Sequence, residues 1–210
     1  MNRYIYKPNP GGALDQYTKD ELEKIADAIS VPDEWDDIVA DMASAKIPTT
    51  NAPDWKSFRG GLYTYAFDDT TNEQVYLAFH ILHDIKRGSK LYLHIHWSPG
   101  NNTDTGTVRW GFEYSIAKGH GQEAFPATNT VYVEQASDGT AYMHNVAELS
   151  DDDAIYKEDL EPDTVLLVRV FRDASHANDT FVGDAHGFQV DIHYQRDRDG
   201  TPNKAPDFYV

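Results

Sequence analysis

From residue 61 onward the apolar residues of this chain fall largely on every second position, and that period restricts the fold more than any other feature. Val108, Trp110, Phe112, Tyr114 and Ile116 form the cleanest run, with Arg109 and Glu113 between them. Val75, Leu77, Phe79 and Ile81 make another, and Phe188, Val190, Ile192 and Tyr194 a third. Successive side chains of a strand point to opposite faces, so a period of two marks strands with one face in a core. Further strands are expected over 61–67, 129–135 and 140–149. Residues 165–171 are apolar on both faces, which predicts a central strand buried on both sides. Roughly eight short strands, with turn signals such as Asp138-Gly139 between them and no long helices, predict a mainly β protein. The expected architecture is an antiparallel β-sandwich or jelly roll.

The first 53 residues follow other rules. Pro8, Pro10, Gly11 and Gly12 predict an extended arm. Thr18-Lys19-Asp20-Glu21 is a capping-box pattern, and Leu22, Ile25, Ala26 and Ile29 follow at helical spacing. Pro32 then precedes Asp33, with Trp35, Ile38, Val39 and Met42 spaced for one face of a second short helix. Pro48 and Pro53 oppose both helix and ladder pairing, so residues 47–54 read as a linker. Two domains are therefore expected: an arm with two short helices and a proline-rich linker over 1–53, and a β-sandwich domain over 54–210. The stripes of the arm are too narrow to enclose a core, so the arm is expected to dock on another surface.

Charge and cysteine usage narrow the partners. The 210 residues carry 18 Lys and Arg against 35 Asp and Glu, a formal charge of −17. Phosphate backbones and anionic lipid surfaces repel such a chain, so neither nucleic acid nor membrane is expected as a partner. With no cysteine, disulfides and thiolate metal sites are excluded. No apolar run approaches the roughly 18 residues of a membrane span, and the first residues lack a signal-peptide pattern, so synthesis in the cytosol without export is expected.

Chemistry centres on the run Leu91-Tyr92-Leu93-His94-Ile95-His96-Trp97. Leu91, Leu93, Ile95 and Trp97 line one face of this strand, and Tyr92, His94 and His96 the other. Two parallel imidazoles can share a metal ion, pair with a carboxylate, or pack in an interface. His193 shares the polar face of its strand with Gln189 and Asp191. If that strand neighbours the His-x-His strand, His94, His96 and His193 form a candidate metal set. Gly88 followed by His94-Ile95-His96 also resembles the opening of the first cupin motif, so a cupin-like metal-dependent enzyme is one alternative. The match ends there: Trp97 to Asn101 lack the motif's glutamate, and no second-motif proline and glycine stand near His193. Without a GxGxxG, a P-loop or a serine elbow, the chain is expected to be no enzyme, with no catalytic residue and no cofactor beyond a structural divalent metal.

Three segments together carry a family resemblance: Leu91 to Pro99, Gly106 to Tyr114, and Gly183 through Asp191-Ile192-His193-Tyr194-Gln195. They resemble tailed-bacteriophage virion proteins with an H-x-H-W-S-P strand, a W-x-F-E-Y strand and a D-x-H-Y-Q strand, over roughly residues 60–200. Members commonly carry a further His where this chain has Tyr92. The resemblance implies a β-sandwich virion component, a homotrimer, that decorates or cements a capsid by docking on the major capsid protein or another virion protein. A tail or fibre component that binds host glycans is the second possibility it leaves. Trp35, Trp55 and Trp97 are the expected contact residues.

Overall fold

A computed structural model of the chain describes Lys24 and residues 33–209. Backbone contacts divide the chain into two units, Met1–Pro32 and Asp33–Val210. The expected extended arm and, apart from Lys24, the expected first helix lie outside the described residues. The second unit is built from ten strands: β1 (Glu34–Asp41), β2 (Asp54–Arg59), β3 (Leu62–Phe67), β4 (Gln74–His80), β5 (Tyr92–Ser98), β6 (Thr107–Ala117), β7 (Asn129–Ala136), β8 (Asn145–Glu148), β9 (Val165–Arg172) and β10 (Ala185–Arg196).

All pairings are antiparallel, in two sheets. One sheet has the order β2-β3-β10-β5-β8, with β1 also paired to β10; the other has the order β4-β9-β6-β7. The expected β-sandwich is thus the observed one, and these pairings establish no more specific jelly-roll topology. Alternate residues face inward, as the period of two requires. Leu93, Ile95 and Trp97 of β5 and Val190, Ile192 and Tyr194 of β10 are buried with Val108, Trp110 and Phe112 of β6. Trp97 and Trp110 meet edge-on across the core at 6.4 Å. Each large side chain buried this way contributes roughly 1.5–3 kcal/mol.

The second expected helix is a strand. Residues 34–41 pair along β10 from Glu34↔Arg196 to Asp41↔Gln189. Trp35, Ile38, Val39 and Met42 do carry helical spacing, but Asp36, Ile38 and Ala40 also alternate with exposed neighbours. The long edge of β10 offers unpaired amides there, and ladder bonds outweigh a helix only two turns long. A short 3₁₀ turn, Met42–Ser44, follows; the Asp41 side chain caps it by accepting from Ala43 N, and Met42 is fully buried. The β unit therefore begins near Asp33, about twenty residues before the expected boundary at 54. A second strand, β2, also starts where the linker was expected to end, joined to β3 through Gly60 at φ +60°.

β9 is central, between β4 and β6, yet its outer face is covered only in part, with Phe171 buried and Leu167 open. Leu167 is 44% exposed, because the four-stranded sheet has no further layer over it among the described residues. The long β10 changes alignment by a bulge between Gly187 and Gln189. A Cβ at Gly187 would lie 2.5 Å from the Met42 sulfur, so only glycine fits there. Beyond the bulge Val190, Ile192 and Tyr194 point inward, which turns Gln189, Asp191 and His193 outward.

Candidate functional site

The outward face of β1, β10, β5 and β8 gathers most of the candidate chemistry. Register aligns it in rows: Asp37, His193 and Tyr92; then Val39, Asp191, His94 and Glu148; then Asp41, Gln189, His96 and Val146. The strand holding His193 does neighbour the His-x-His strand, as the candidate metal set required. His94 sits at the centre. Its ring stacks on His193 at 4.1 Å and tilts against His96 at 5.2 Å. Both His94 and Asp191 are buried, although they lie on the outer face.

Proton positions follow from the partners. His94 Nδ1 lies 3.4 Å from the Tyr92 carbonyl oxygen. A carbonyl only accepts, so Nδ1 carries the proton and Nε2 presents a lone pair. That lone pair faces Asp191 Oδ2 at 3.7 Å, and His96 Nε2 lies 3.1 Å from the same oxygen. The Ala40 amide donates to Asp191 Oδ1 at 3.3 Å. On the far side, His96 Nδ1 and His144 Nε2 share a hydrogen bond of 2.8 Å. Burial, assisted by His193, pushes the His94 imidazole down to about 4, so it is neutral near pH 7. Burial likewise lowers His144 and raises the Asp191 carboxyl, against the pull of His96.

His193 is occupied on both sides: Nε2 meets Asp37 Oδ1 at 3.0 Å and Nδ1 meets Glu148 Oε2 at 2.5 Å. A surface groove of about 430 Å³ runs beside it, lined by Trp35, Tyr92, Glu148, Asp151 and His193. Tyr92 Oη donates to Asp151 Oδ1 at 2.6 Å, and this bond with burial pushes the phenol up to about 12.

Two overlapping trios bring ligand atoms within 4.8 Å of one another: His94, His96 and Asp191, and Asp37, His94 and His193. The three candidate histidines are therefore neighbours, but His94 and His96 converge with Asp191, and His193 belongs to the other trio. Asp191, Asp37, Glu148 and His144 were not among the candidate ligands. Asp191 stands two residues from His193 and so on its face; the register that sets it opposite His94 is visible only in the folded sheet.

The three candidate contact tryptophans separate. Trp35 is 58% exposed and packs edge-on against Tyr92 at 5.6 Å. Trp55 is 51% exposed and stacks on Tyr63 at 6.4 Å with 22° between the planes. Trp97 is fully buried, and its indole N–H donates to Gln135 Oε1 at 2.7 Å. It belongs to the core because it shares the inward face of Leu93 and Ile95, so the expectation of a contact role for it is corrected.

No family model and no curated protein matches the chain. Solved structures to which the chain shows some likeness include dimeric latent PorU from Porphyromonas gingivalis, at 12% identity and a TM-score of 0.36, over 84% of this chain and 14% of that one. A chain of infectious bursal disease virus, Gx strain, is 10% identical with a TM-score of 0.32, over 77% of this chain and 32% of that one. A carbohydrate-binding module specific for non-crystalline cellulose, CBM28, is 8% identical with a TM-score of 0.29, over 73% of this chain and 87% of the module. The chain thus spans a small part of the first two. Likenesses this distant carry no argument, and the β-sandwich rests on the strand pairings of the chain itself.

Proposed function

We propose that this chain is a structural component of a bacteriophage virion, whose β-sandwich works by association rather than turnover. The observation that supports the reading is the uncovered face of the β2–β3 hairpin. Tyr63, Tyr65 and Phe67 share one face of β3, with Trp55 opposite Tyr65. Phe67 is in the core, yet Tyr63 and Trp55 on the same face are half exposed, and Leu62 at the hairpin end is 68% exposed. Rigid, uncovered aromatics at a sheet edge suit burial against another protein. The phage assignment rests on the three strand motifs in β5, β6 and β10. A homotrimer docked on the major capsid protein is the form the resemblance suggests.

Immunogold labelling of assembled particles from the phage that encodes the chain tests the location. Uniform label over the head is expected, and particles without label sink the proposal. Sedimentation of the purified chain tests association: an oligomer is expected, converted to folded monomer by Trp55→Asp with Tyr63→Asp. A second reading is favoured by the groove of about 300 Å³ beside Trp55 and Tyr63, whose rings are nearly parallel. Stacked, half-exposed rings also suit a sugar ring, and binding to host polysaccharide with label confined to the tail selects that reading.

A further inference from the structure

We propose that His94 Nε2, His96 Nε2 and Asp191 Oδ2 bind one divalent zinc-class cation that ties β5 to β10. Three observations converge on it. First, the separations fit. Zinc bonds to imidazole nitrogen and carboxylate oxygen are about 2.0–2.2 Å long, so tetrahedral neighbours lie about 3.3–3.5 Å apart. His96 Nε2 and His94 Nε2 lie 3.1 and 3.7 Å from Asp191 Oδ2, on either side of that value, and the three atoms fall within 4.8 Å of one another.

Second, the metal-free arrangement leaves a defect. The His94 lone pair and the Asp191 oxygen are both electron-rich, both buried, and have no proton between them. Asp191 Oδ2 also has His96 Nε2 at 3.1 Å, but the His94 Nε2 lone pair meets that oxygen acceptor to acceptor at 3.7 Å, and a cation between them removes this repulsion. Third, outer partners already orient both imidazoles. The Tyr92 carbonyl accepts from His94 Nδ1, and His144 Nε2 can accept from His96 Nδ1, which leaves each Nε2 free to ligate. Two imidazoles and one carboxylate favour zinc or a neighbouring first-row metal over magnesium or calcium, which prefer oxygen ligands. The His96 side chain keeps 20% of its surface accessible, so water can take the fourth position.

His193 is a neighbour of this site and no ligand in it. Its two nitrogens already face Asp37 and Glu148, and its ring stacks flat on His94. The site is independent of the proposed virion role: a zinc-binding chain that labels no particle would refute the role and leave the site standing.

The test uses the full chain, dialysed against chelator and titrated with zinc chloride by calorimetry. One zinc per chain is expected, with a rise in Tm of roughly 5–10 °C at zinc a hundredfold above Kd. Magnesium should produce neither. Asp191→Asn and His96→Gln should lose stoichiometric binding, and His144→Ala should weaken it roughly 10- to 100-fold. His176→Ala, at an exposed residue, should bind as the parent does. X-ray absorption of the zinc-loaded parent chain provides a readout that no variant's misfolding can spoil. Two imidazoles with oxygen ligands are expected. Three imidazoles, absence of stoichiometric zinc, or unchanged affinity in Asp191→Asn would each overturn the assignment.

Discussion

Two places where the fold buries ionisable groups are finished differently. Arg172, at the end of β9, is fully buried with Asp179. Its Nε donates to Asp179 Oδ2 and one Nη to Asp179 Oδ1, at 3.0 and 2.8 Å. The other donors reach the carbonyls of Phe67, Gly183 and Phe181. A guanidinium has five N–H groups, and each of them has an acceptor here. The pair at His94 and Asp191 is nearly as inaccessible, yet there acceptors face each other. A buried charge whose hydrogen bonds close within the chain is scaffold. One whose acceptors outnumber its protons is a place shaped for something the chain does not itself supply.

The largest effect should come from breaking the closed cluster. Arg172→Met leaves Asp179 as an uncompensated buried carboxylate and should cost roughly 3–5 kcal/mol in urea unfolding. A loss below about 1 kcal/mol would remove the distinction between the clusters. The open cluster should respond in the opposite sense. In chelator-treated protein, Asp191→Asn keeps the acceptor for Ala40 N and offers an amide donor toward His94 Nε2. Its unfolding free energy should stay within about 1 kcal/mol of the parent or rise. A loss as large as that of Arg172→Met would show that Asp191 is already satisfied.

The smallest effect is expected at a half-exposed cluster that lies between these extremes. Asp163 accepts from His120 Nε2 at 2.7 Å and His80 Nε2 at 2.8 Å. Burial alone would raise its carboxyl, but these hydrogen bonds outweigh burial and hold it below the ordinary carboxylate range. The folded state then binds fewer protons than the unfolded chain in that window. The stabilisation is complete above the unfolded-state value near about 3.9 and is lost as pH falls through the lower folded value. Melting curves from neutral pH downward should show Asp163→Asn losing less stability at the acid end than the parent, by under about 1 kcal/mol. Parallel curves would remove Asp163 from the account.

Much of the sandwich was legible because alternation is written residue by residue. The runs at Val108–Ile116 and Leu93–Trp97 and the inward set Val190, Ile192 and Tyr194 were assigned to the correct faces. The failures came where two periods coexist or where a partner is distant. Residues 35–42 satisfy helical spacing and strand alternation at once, and the waiting edge of β10 decides between them. Leu167 lies in a strand apolar on both sides, but whether a further layer covers it is no local property. Trp97 was placed on the right face and given the wrong role, since its neighbours Trp110 and Phe181 come from elsewhere in the chain.

By itself the sequence determined most of the strands from residue 61 onward, the inward faces of β5, β6 and β10, the outward pairing of His94 with His96, and, through its lack of cysteine, the exclusion of disulfides. Side-chain direction along a strand follows from backbone geometry alone, so those features need no knowledge of the rest of the chain. Only the tertiary structure decided that β1 joins the sheet, that Trp97 is core, and that Asp191 rather than His193 stands across from His94. Those are matters of register and of which strand lies beside which. They arise from contacts between residues far apart in sequence, where a shift of one position would turn the facing row over.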